Sequence, residues 1–299
     1  MDSAIDRYTG HIVDGEQLWY INPVDKEGYL CRGCKVMVNP VSFEKHHKVR
    51  PHFKELRSSP HLSWCDVEGE DELVKRGRKN KVSTKDGFPG SFPSKLKLID
   101  ENVKVTSEPS DDVEGKPSSG SGTKSAGSTE KRHNAWTANT IRPICRTYLH
   151  FPHDRHLPLS VPSASGITYS EVFRKLLSNG IITYPTKHIF FAPLKWQKLQ
   201  EIDGKIIIEL SAGLWEDKQL KTNYRLIVDC SNWGKAKKNY ILVDLEAARQ
   251  EAMERNKAGK KLEKSWVFFL ADQDPLNPTD FFISDHRLLC CITGELVSN

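Results

Sequence analysis

This chain of 299 residues lacks several signals that would assign a protein to a class at once. No run approaches the roughly 18 consecutive apolar residues that a membrane helix needs, and the opening Met-Asp-Ser-Ala-Ile-Asp-Arg does not read as a secretion signal. A glycine-rich phosphate-binding loop and a Gly-x-Ser-x-Gly nucleophile motif are also missing. We therefore expect a cytoplasmic protein that has no membrane partner.

Large apolar residues are almost absent between residues 106 and 134, which helps to hold the hydrophobic content of the whole chain at 37%. The run that starts at Lys116 reads Lys-Pro-Ser-Ser-Gly-Ser-Gly-Thr-Lys-Ser-Ala-Gly-Ser, a composition that cannot bury enough surface to fold. It predicts a flexible linker. The chain is therefore divided into a zinc-binding module at 1–75, a basic segment with a disordered Gly/Ser/Pro linker at 76–135, and an α+β domain at 136–299.

The charge balance is mildly basic, with a formal net charge of +5, which permits nucleic-acid binding without requiring it. The seven cysteines are odd in number, and three of them lie among histidines. This usage predicts a reducing compartment, with metal-bound thiols near the N-terminus and free buried thiols later. The first group is Cys31, Cys34 and Cys65, and the second is Cys145, Cys230, Cys290 and Cys291.

Cys31-Arg-Gly-Cys34 is the most informative motif. Its two-residue gap lets both sulfurs reach one ion from a single tight turn, and His52 and then His61-Leu-Ser-Trp-Cys65 follow it. Four thiolate and imidazole ligands suit tetrahedral zinc and leave no open position for catalysis, so we predict a structural zinc ion. The predicted ligands are Cys31, Cys34, His52 and Cys65, with His61 as the alternative for the last position and His46 and His47 as alternatives for the third.

Several segments around this motif occur in a fixed order. They are Ala4-Ile5-Asp6, Gly10-His11-Ile12-Val13, Tyr29-Leu30-Cys31-Arg32-Gly33-Cys34, Val38 and Arg50-Pro51-His52-Phe53. Together they resemble the N-terminal zinc region of the competence protein CoiA-like family, over about residues 4–65. That family usually reads His-Phe-Ala-His, whereas Lys54 and Glu55 follow Phe53 here, which leaves the fourth ligand open between His61 and Cys65. The resemblance implies a role in handling DNA and, in many relatives, a nuclease-like domain after the zinc region.

The rest of the pattern indicates an α+β fold. A small β-rich zinc module opens with a hairpin, and the second domain is expected to be a mainly antiparallel sheet or small barrel with helices. Predicted helices cover Ser170–Ser178 and Leu245 to about Lys261. Predicted strands are His188–Ala192, Lys205–Leu210, Arg225–Asp229, Asn239–Val243, Val267–Leu270 and Arg287–Ile292, with a further possible strand at residues 95–98.

No catalytic constellation emerges from the residues. A restriction-type nuclease needs an Asp followed by Glu-x-Lys on a neighbouring strand to hold Mg²⁺ and support the attacking water. Asp229, Asp244 and Glu246 could supply carboxylates, but no Glu-x-Lys follows in a strand. The cluster from His150 to His156 is broken by prolines, which favours a polar loop over a metal site. We expect a protein that is not an enzyme, with a diverged Mg-dependent nuclease as the weaker hypothesis.

Basic residues near aromatic ones predict a nucleic-acid surface, because lysines track phosphates and aromatic rings stack on bases. The predicted contacts are Lys75, Arg76, Arg78, Lys79 and Lys81 after the zinc module, and Trp233, Lys235, Lys237 and Lys238 in the second domain. The leading hypothesis is a zinc-containing accessory protein of bacterial DNA processing, in competence or phage defence, that binds DNA rather than RNA. The alternative is an adaptor that docks a partner enzyme.

Overall fold

The structure is a computed structural model that describes residues 1–44, 49–62, 65, 70–83, 92–98 and 136–297. Its strands are β1 (Ser3–Asp6), β2 (Ile12–Asp14), β3 (Tyr29–Leu30), β4 (Val38–Val41), β5 (His52–Glu55), β6 (Pro93–Leu96), β7 (Trp136–Ala138), β8 (Phe173–Lys175), β9 (Ile189–Pro193), β10 (Gln200–Ile202), β11 (Lys205–Glu216), β12 (Gln219–Asp229), β13 (Glu263–Leu270), β14 (Asp272–Gln273), β15 (Asp280–Ile283) and β16 (Leu289–Glu295). Its α-helices are α1 (Glu70–Lys79), α2 (Arg142–His150), α3 (Tyr169–Val172) and α4 (Lys235–Lys257). This combination confirms the α+β class, and none of the helices described is long and apolar enough to cross a membrane.

A four-stranded sheet in the order β16-β13-β9-β8 lies at the centre of the second domain. Side chains alternate between the two faces of a strand, so Trp266 and Phe268 of β13 enter one hydrophobic core while Val267 and Phe269 enter another. Helix α2 covers the first core through residues such as Ile144. Because both faces are buried, β9 and β13 read as near-continuous apolar runs rather than alternating ones.

The second core lies between this sheet and a five-stranded sheet in the order β10-β11-β12-β15-β14. Helix α4 closes the same core with Tyr240, Ile241 and Leu245. Most pairs in the two sheets are antiparallel; β12–β15 and β8–β9 are parallel. The domain is therefore built from two mainly antiparallel sheets around a shared core, with helices, as the sequence predicts; a bridge between Leu194 and Leu210 joins the end of β9 to β11.

The N-terminal module has its own small core. The predicted opening hairpin is present as β1 and β2, and β3 pairs on the other side of β1. Strands β4 and β5 form a second hairpin, and Phe53 of β5 packs with Tyr29 and the three N-terminal cysteines. Trp19 and Tyr20 pack against the core beneath α4, so the module is in contact with the second domain.

Two predicted elements have a different structure. The predicted helix at 170–178 is one helical turn, α3, after which Phe173–Lys175 pairs with β9 as strand β8. The predicted strand at 239–243 belongs to helix α4. The apolar run there suggests a strand, but the buried residues recur at helical spacing, namely Tyr240, Ile241, Asp244, Leu245, Ala248 and Ala252.

Parts of the predicted basic and linker segment are folded against the second domain. Gly77 of α1 lies against the ring of Phe151, and only glycine fits, because a Cβ there would come within 2.3 Å of that ring. Strand β6 pairs in parallel with β7, and Leu96 is buried in the same core as α2. The Gly/Ser-rich stretch itself lies outside the described residues.

Candidate metal centre

The Cys31–Cys34 turn follows directly from β3. The N–H of Cys31 donates to the carbonyl of Val36 at 2.7 Å, and the N–H of Lys35 donates back to the carbonyl of Cys31 at 3.0 Å. Lys35 has a φ of 63°, which reverses the chain after Cys34. This tight turn directs both sulfurs to one side, as a two-residue gap predicts.

Three cysteines and one histidine converge at this turn. The sulfurs of Cys31 and Cys65 are 3.7 Å apart, and Nδ1 of His61 lies 3.2 Å from the sulfur of Cys34 and 3.6 Å from that of Cys65. All four ligand atoms lie within 4.8 Å of one another. An ideal tetrahedron with metal–sulfur bonds near 2.3 Å has edges of about 3.8 Å, so these separations fit one four-coordinate ion. The cluster could therefore hold a metal ion.

The two thiols of the turn are in different electrostatic environments. Burial raises the pKa of Cys31 to about 12, although hydrogen bonds from the N–H groups of Cys34 and Gly33 oppose it. Burial also acts to raise the pKa of Cys34, but N–H groups of Val36 and Leu62, together with His61 and Cys65, lower it to about 6. Since metal ligands bind as thiolates, a cation would have to displace the proton of Cys31, and metal affinity should rise with pH.

His52 is not part of this cluster, which corrects the predicted ligand set. Phe53 points into the core that contains the three cysteines, so His52, its neighbour in β5, points to the opposite face. The Nδ1 atom of His52 instead lies 3.0 Å from the carbonyl oxygen of Arg50. His61 occupies the position predicted for His52, and Cys65 lies beside it as a candidate ligand. His46 and His47 lie outside the described residues.

A buried chain of alternating charges joins this module to the second domain. Arg50 reaches Asp244 of α4 at 2.5 Å and Glu251 at 2.6 Å. Arg142 of α2 in turn pairs with the other oxygen of Asp244 and with Glu16 at 3.3 Å. Arg146 continues the chain, with contacts to Glu16 at 2.7 Å and to Asp2 at 3.4 Å.

The centre of this chain is almost fully removed from solvent. The Arg142 and Asp244 side chains are each 2% exposed. Asp244 also accepts from the N–H of Cys291 at 3.2 Å, and Arg142 donates to the carbonyl of Cys291 at 3.0 Å. Burial acts to raise the pKa of Asp244, but Arg142 and Arg50 hold it below its usual range. No local motif marks these residues, so the sequence offered no signal for the network.

The basic residues predicted to bind nucleic acid differ in exposure. In α1, Arg76 and Lys79 are exposed, and Lys81 is exposed just beyond its end. Lys75 is exposed but forms an ion pair with Glu72 at 2.6 Å. Arg78 is half-buried, and its Nε has no hydrogen-bond partner among the residues described. The helix therefore presents part of the predicted basic run to solvent.

The second group of residues predicted to bind nucleic acid lies in the second domain, and several of its members contact other parts of the protein. Trp233 donates its indole N–H to Ser284 at 2.8 Å, and its ring packs edge-on against His286. Lys238 is paired with Glu201. Lys235 is exposed at the start of α4, and Lys237 is half-buried two residues later. Trp233 is half-buried, and it and Lys238 both contact other parts of the protein.

The acids considered for a nuclease do not meet. Hydrogen bonds from the Ser231 hydroxyl and then from the Ser231 N–H lower the pKa of Asp229. Glu246 pairs with Arg249 at 2.6 Å along α4. Asp244 belongs to the buried charge chain. Among the residues described, the cysteine–histidine cluster is the one group of three or more His, Cys, Asp or Glu side chains close enough to share an ion.

The cluster between His150 and His156 is likewise dispersed. His153 and His156 are exposed, whereas burial and the nearby charge of Arg78 lower the pKa of His150 to about 4. Asp154 is buried and accepts from the N–H groups of Val82 and Ser83 at 2.9 and 3.0 Å. These residues fix the segment after α1 rather than forming a ligand set.

Comparison with known proteins places this chain in no family: no family model, no curated protein and no solved structure matches it.

Proposed function

We propose that this chain is a zinc-containing, nucleic-acid-binding accessory protein of DNA processing, with zinc in a structural role. Three thiolates and an imidazole are a donor set that suits zinc, and four protein ligands leave no position for a substrate. Cys31, Cys34, His61 and Cys65 would hold the ion. When bound, it would cross-link the Cys31 turn to the segment that carries His61 and Cys65, in a module whose own core is small.

The observation that carries the nucleic-acid proposal is the exposed end of α1. Arg76, Lys79 and Lys81 face solvent, and the helix is fixed to the second domain by the fit of Gly77 against Phe151. Mobile cations on a fixed helix can neutralise successive phosphates and release their counterions. Competence and phage defence are the processes proposed, and the resemblance of the N-terminal module to the CoiA-like family supports the first of them.

The test is DNA binding by the triple variant Arg76→Gln, Lys79→Gln and Lys81→Gln. Fluorescence anisotropy with labelled single-stranded and duplex DNA, between about 50 and 200 mM salt, should show affinity that falls with salt. The variant should bind at least about tenfold more weakly at the lower salt concentration. The slope of log affinity against log salt concentration should be smaller for the variant, by up to about 0.9 for each phosphate that is no longer neutralised.

A matched control removes the same charge elsewhere. Lys218, Lys221 and Lys257 are exposed and lie outside α1, and their triple change to Gln should leave affinity within about twofold, because distant surface charges are screened. Equal reductions in affinity for the two triple variants would show that net charge, not α1, governs binding. Elemental analysis of the purified protein should give one zinc per chain.

A further inference from the structure

The five-stranded sheet has a second face, directed away from the core. Ile206 and Ile208 of β11 are buried beneath α4, so Ile207 between them faces outward. Its cross-strand partner is Ile227 of β12, and the partner of Ile227 is Phe282 of β15. Phe282 is 41% exposed, although residues of this type are usually buried.

Ile202 of β10 extends this row on the diagonal from Ile207. It pairs with Lys205, which places it on the same outward face, and it is 51% exposed. Ile202, Ile207, Ile227 and Phe282 thus form a continuous apolar strip across four strands, here named the outer strip. Contiguous apolar strips with polar margins are characteristic of interaction surfaces.

The charges beside the outer strip cancel. Around it lie four cations and four anions: Lys187, Lys195, Lys205 and Arg225, and Glu209, Asp229, Asp272 and Asp280. Three ion pairs form within the chain: Lys187 with Asp272 at 2.9 Å, Lys195 with Glu209 at 2.6 Å and Arg225 with Asp280 at 2.6 Å. A neutral margin offers no attraction to a polyanion, so this face is not a second DNA surface.

The pattern is also self-complementary. On the outward face of β11 and β12 the cross-strand partners are Lys205 with Asp229, Ile207 with Ile227, and Glu209 with Arg225. A two-fold axis that lies above this face, midway between the two strands and parallel to them, would place each of these residues opposite its own cross-strand partner in another copy. Each of these contacts between the copies would therefore join opposite charges or two isoleucines. Because the interface is symmetric, each contact occurs twice.

We propose that the outer strip is the interface of a symmetric homodimer, in which the five-stranded sheets of two copies of this chain pack face to face about that axis. Face-to-face packing of sheets with nearly aligned strands is a common arrangement in proteins, and apolar inner faces drive it. The inference is independent of the nucleic-acid proposal.

The first test is light scattering coupled to size exclusion, with sedimentation velocity, on the full chain over a range of concentrations. The wild type should be dimeric at micromolar concentrations. Ile227→Asp should weaken association by at least about tenfold, because each copy contributes the residue to the same interface. Ile167 is 76% exposed and lies outside the sheet, so Ile167→Asp is the matched control and should leave the dimer intact.

The second test uses charge and keeps the proposal falsifiable if Ile227→Asp misfolds. Lys205→Asp alone should weaken the dimer, since it faces Asp229 of the other copy, and Lys205→Asp combined with Asp229→Lys should restore it. A wild type that stays monomeric up to about 100 µM overturns the proposal, because a specific interface of standard size binds more tightly than this. A dimer that survives both Ile227→Asp and Lys205→Asp overturns it as well.

Discussion

Arg50 and Asp244 lie 194 residues apart in the chain, and yet Nη1 of the arginine is 2.5 Å from Oδ1 of the aspartate. Arg50 lies just before β5, the second strand of the β4–β5 hairpin, and Asp244 lies on the buried side of α4. The contact makes the N-terminal module and the second domain parts of one structure.

Removing the negative charge of Asp244 should strongly destabilise the protein. Asp244→Asn would leave Arg50 and Arg142 buried without their shared anion, and we expect the free energy of unfolding to fall by about 3–5 kcal/mol in urea titrations. Glu246→Gln, two residues along the same helix, breaks only a partly exposed pair with Arg249 and should cost less than about 1 kcal/mol. Similar decreases for the two variants would contradict a special role for the buried chain.

The cysteine–histidine cluster predicts a clear difference between two histidines. His61→Ala removes a ligand and should lower zinc affinity by more than about 100-fold, since even changes behind a ligand cost 10–100-fold. His52→Ala should leave one zinc per chain, because its ring lies on the other face of β5. Competition with a chromogenic chelator measures both affinities. Zinc release from the His52 variant alone would favour His52 over His61 as the ligand.

Asp14 should make stability depend on pH between about 4 and 6. Burial raises the pKa of Asp14 to about 6, although Arg146 and the Thr140 hydroxyl oppose the shift, and one carboxylate oxygen has no hydrogen-bond partner in the described part of the chain. The folded state thus holds a proton that the unfolded chain has released, so stability falls as pH rises through this window. The stability of Asp14→Asn relative to the wild type should increase from pH 4 to pH 7 in urea titrations.

His150 should make stability depend on pH in the opposite direction, over about the same pH range. Its pKa is lowered to about 4, so the folded state does not bind a proton that the unfolded chain accepts near its ordinary value of 6.5. Its contribution is present above that value and is lost as pH falls toward 4. The stability of His150→Gln relative to the wild type should therefore increase as pH falls. If the relative stabilities of Asp14→Asn and His150→Gln change with pH in the same direction, at least one of the two pKa shifts is wrong.

The packing of α1 can be tested through its glycine. Gly77→Ala favours an isolated helix by about 1 kcal/mol, but its methyl group would collide with Phe151. We expect a net destabilisation of about 1–3 kcal/mol and faster hydrogen exchange in α1, as for other overpacked sites. Gly234→Ala, where no described atom outside the adjacent residues lies within 4 Å of the added Cβ, should have little effect. Unchanged exchange in Gly77→Ala would show that α1 is not held by this contact.

The sequence predicted the elements whose local pattern decides them. The Cys31 turn follows from its spacing, the opening hairpin and strands β11 and β12 from alternation, and β9 and β13 from short apolar runs that are visible in the chain. The prediction for 239–243 failed because tertiary burial at helical spacing overrode a strand-like composition. The absence of His52 from the cluster depended on which face of β5 carries Phe53, which the sequence does not show. Glu16, Arg50, Arg142 and Asp244 meet only after folding.

The side chains that bind Cys291 have an effect beyond the charge chain. Strand β16 is the outermost strand of its sheet, and such a strand normally offers free N–H and C=O groups to another chain. Here Asp244 occupies the N–H of Cys291 and Arg142 occupies its carbonyl. The ionic network thereby occupies the two backbone groups of Cys291 that an added strand would need, which opposes edge-to-edge aggregation at this border.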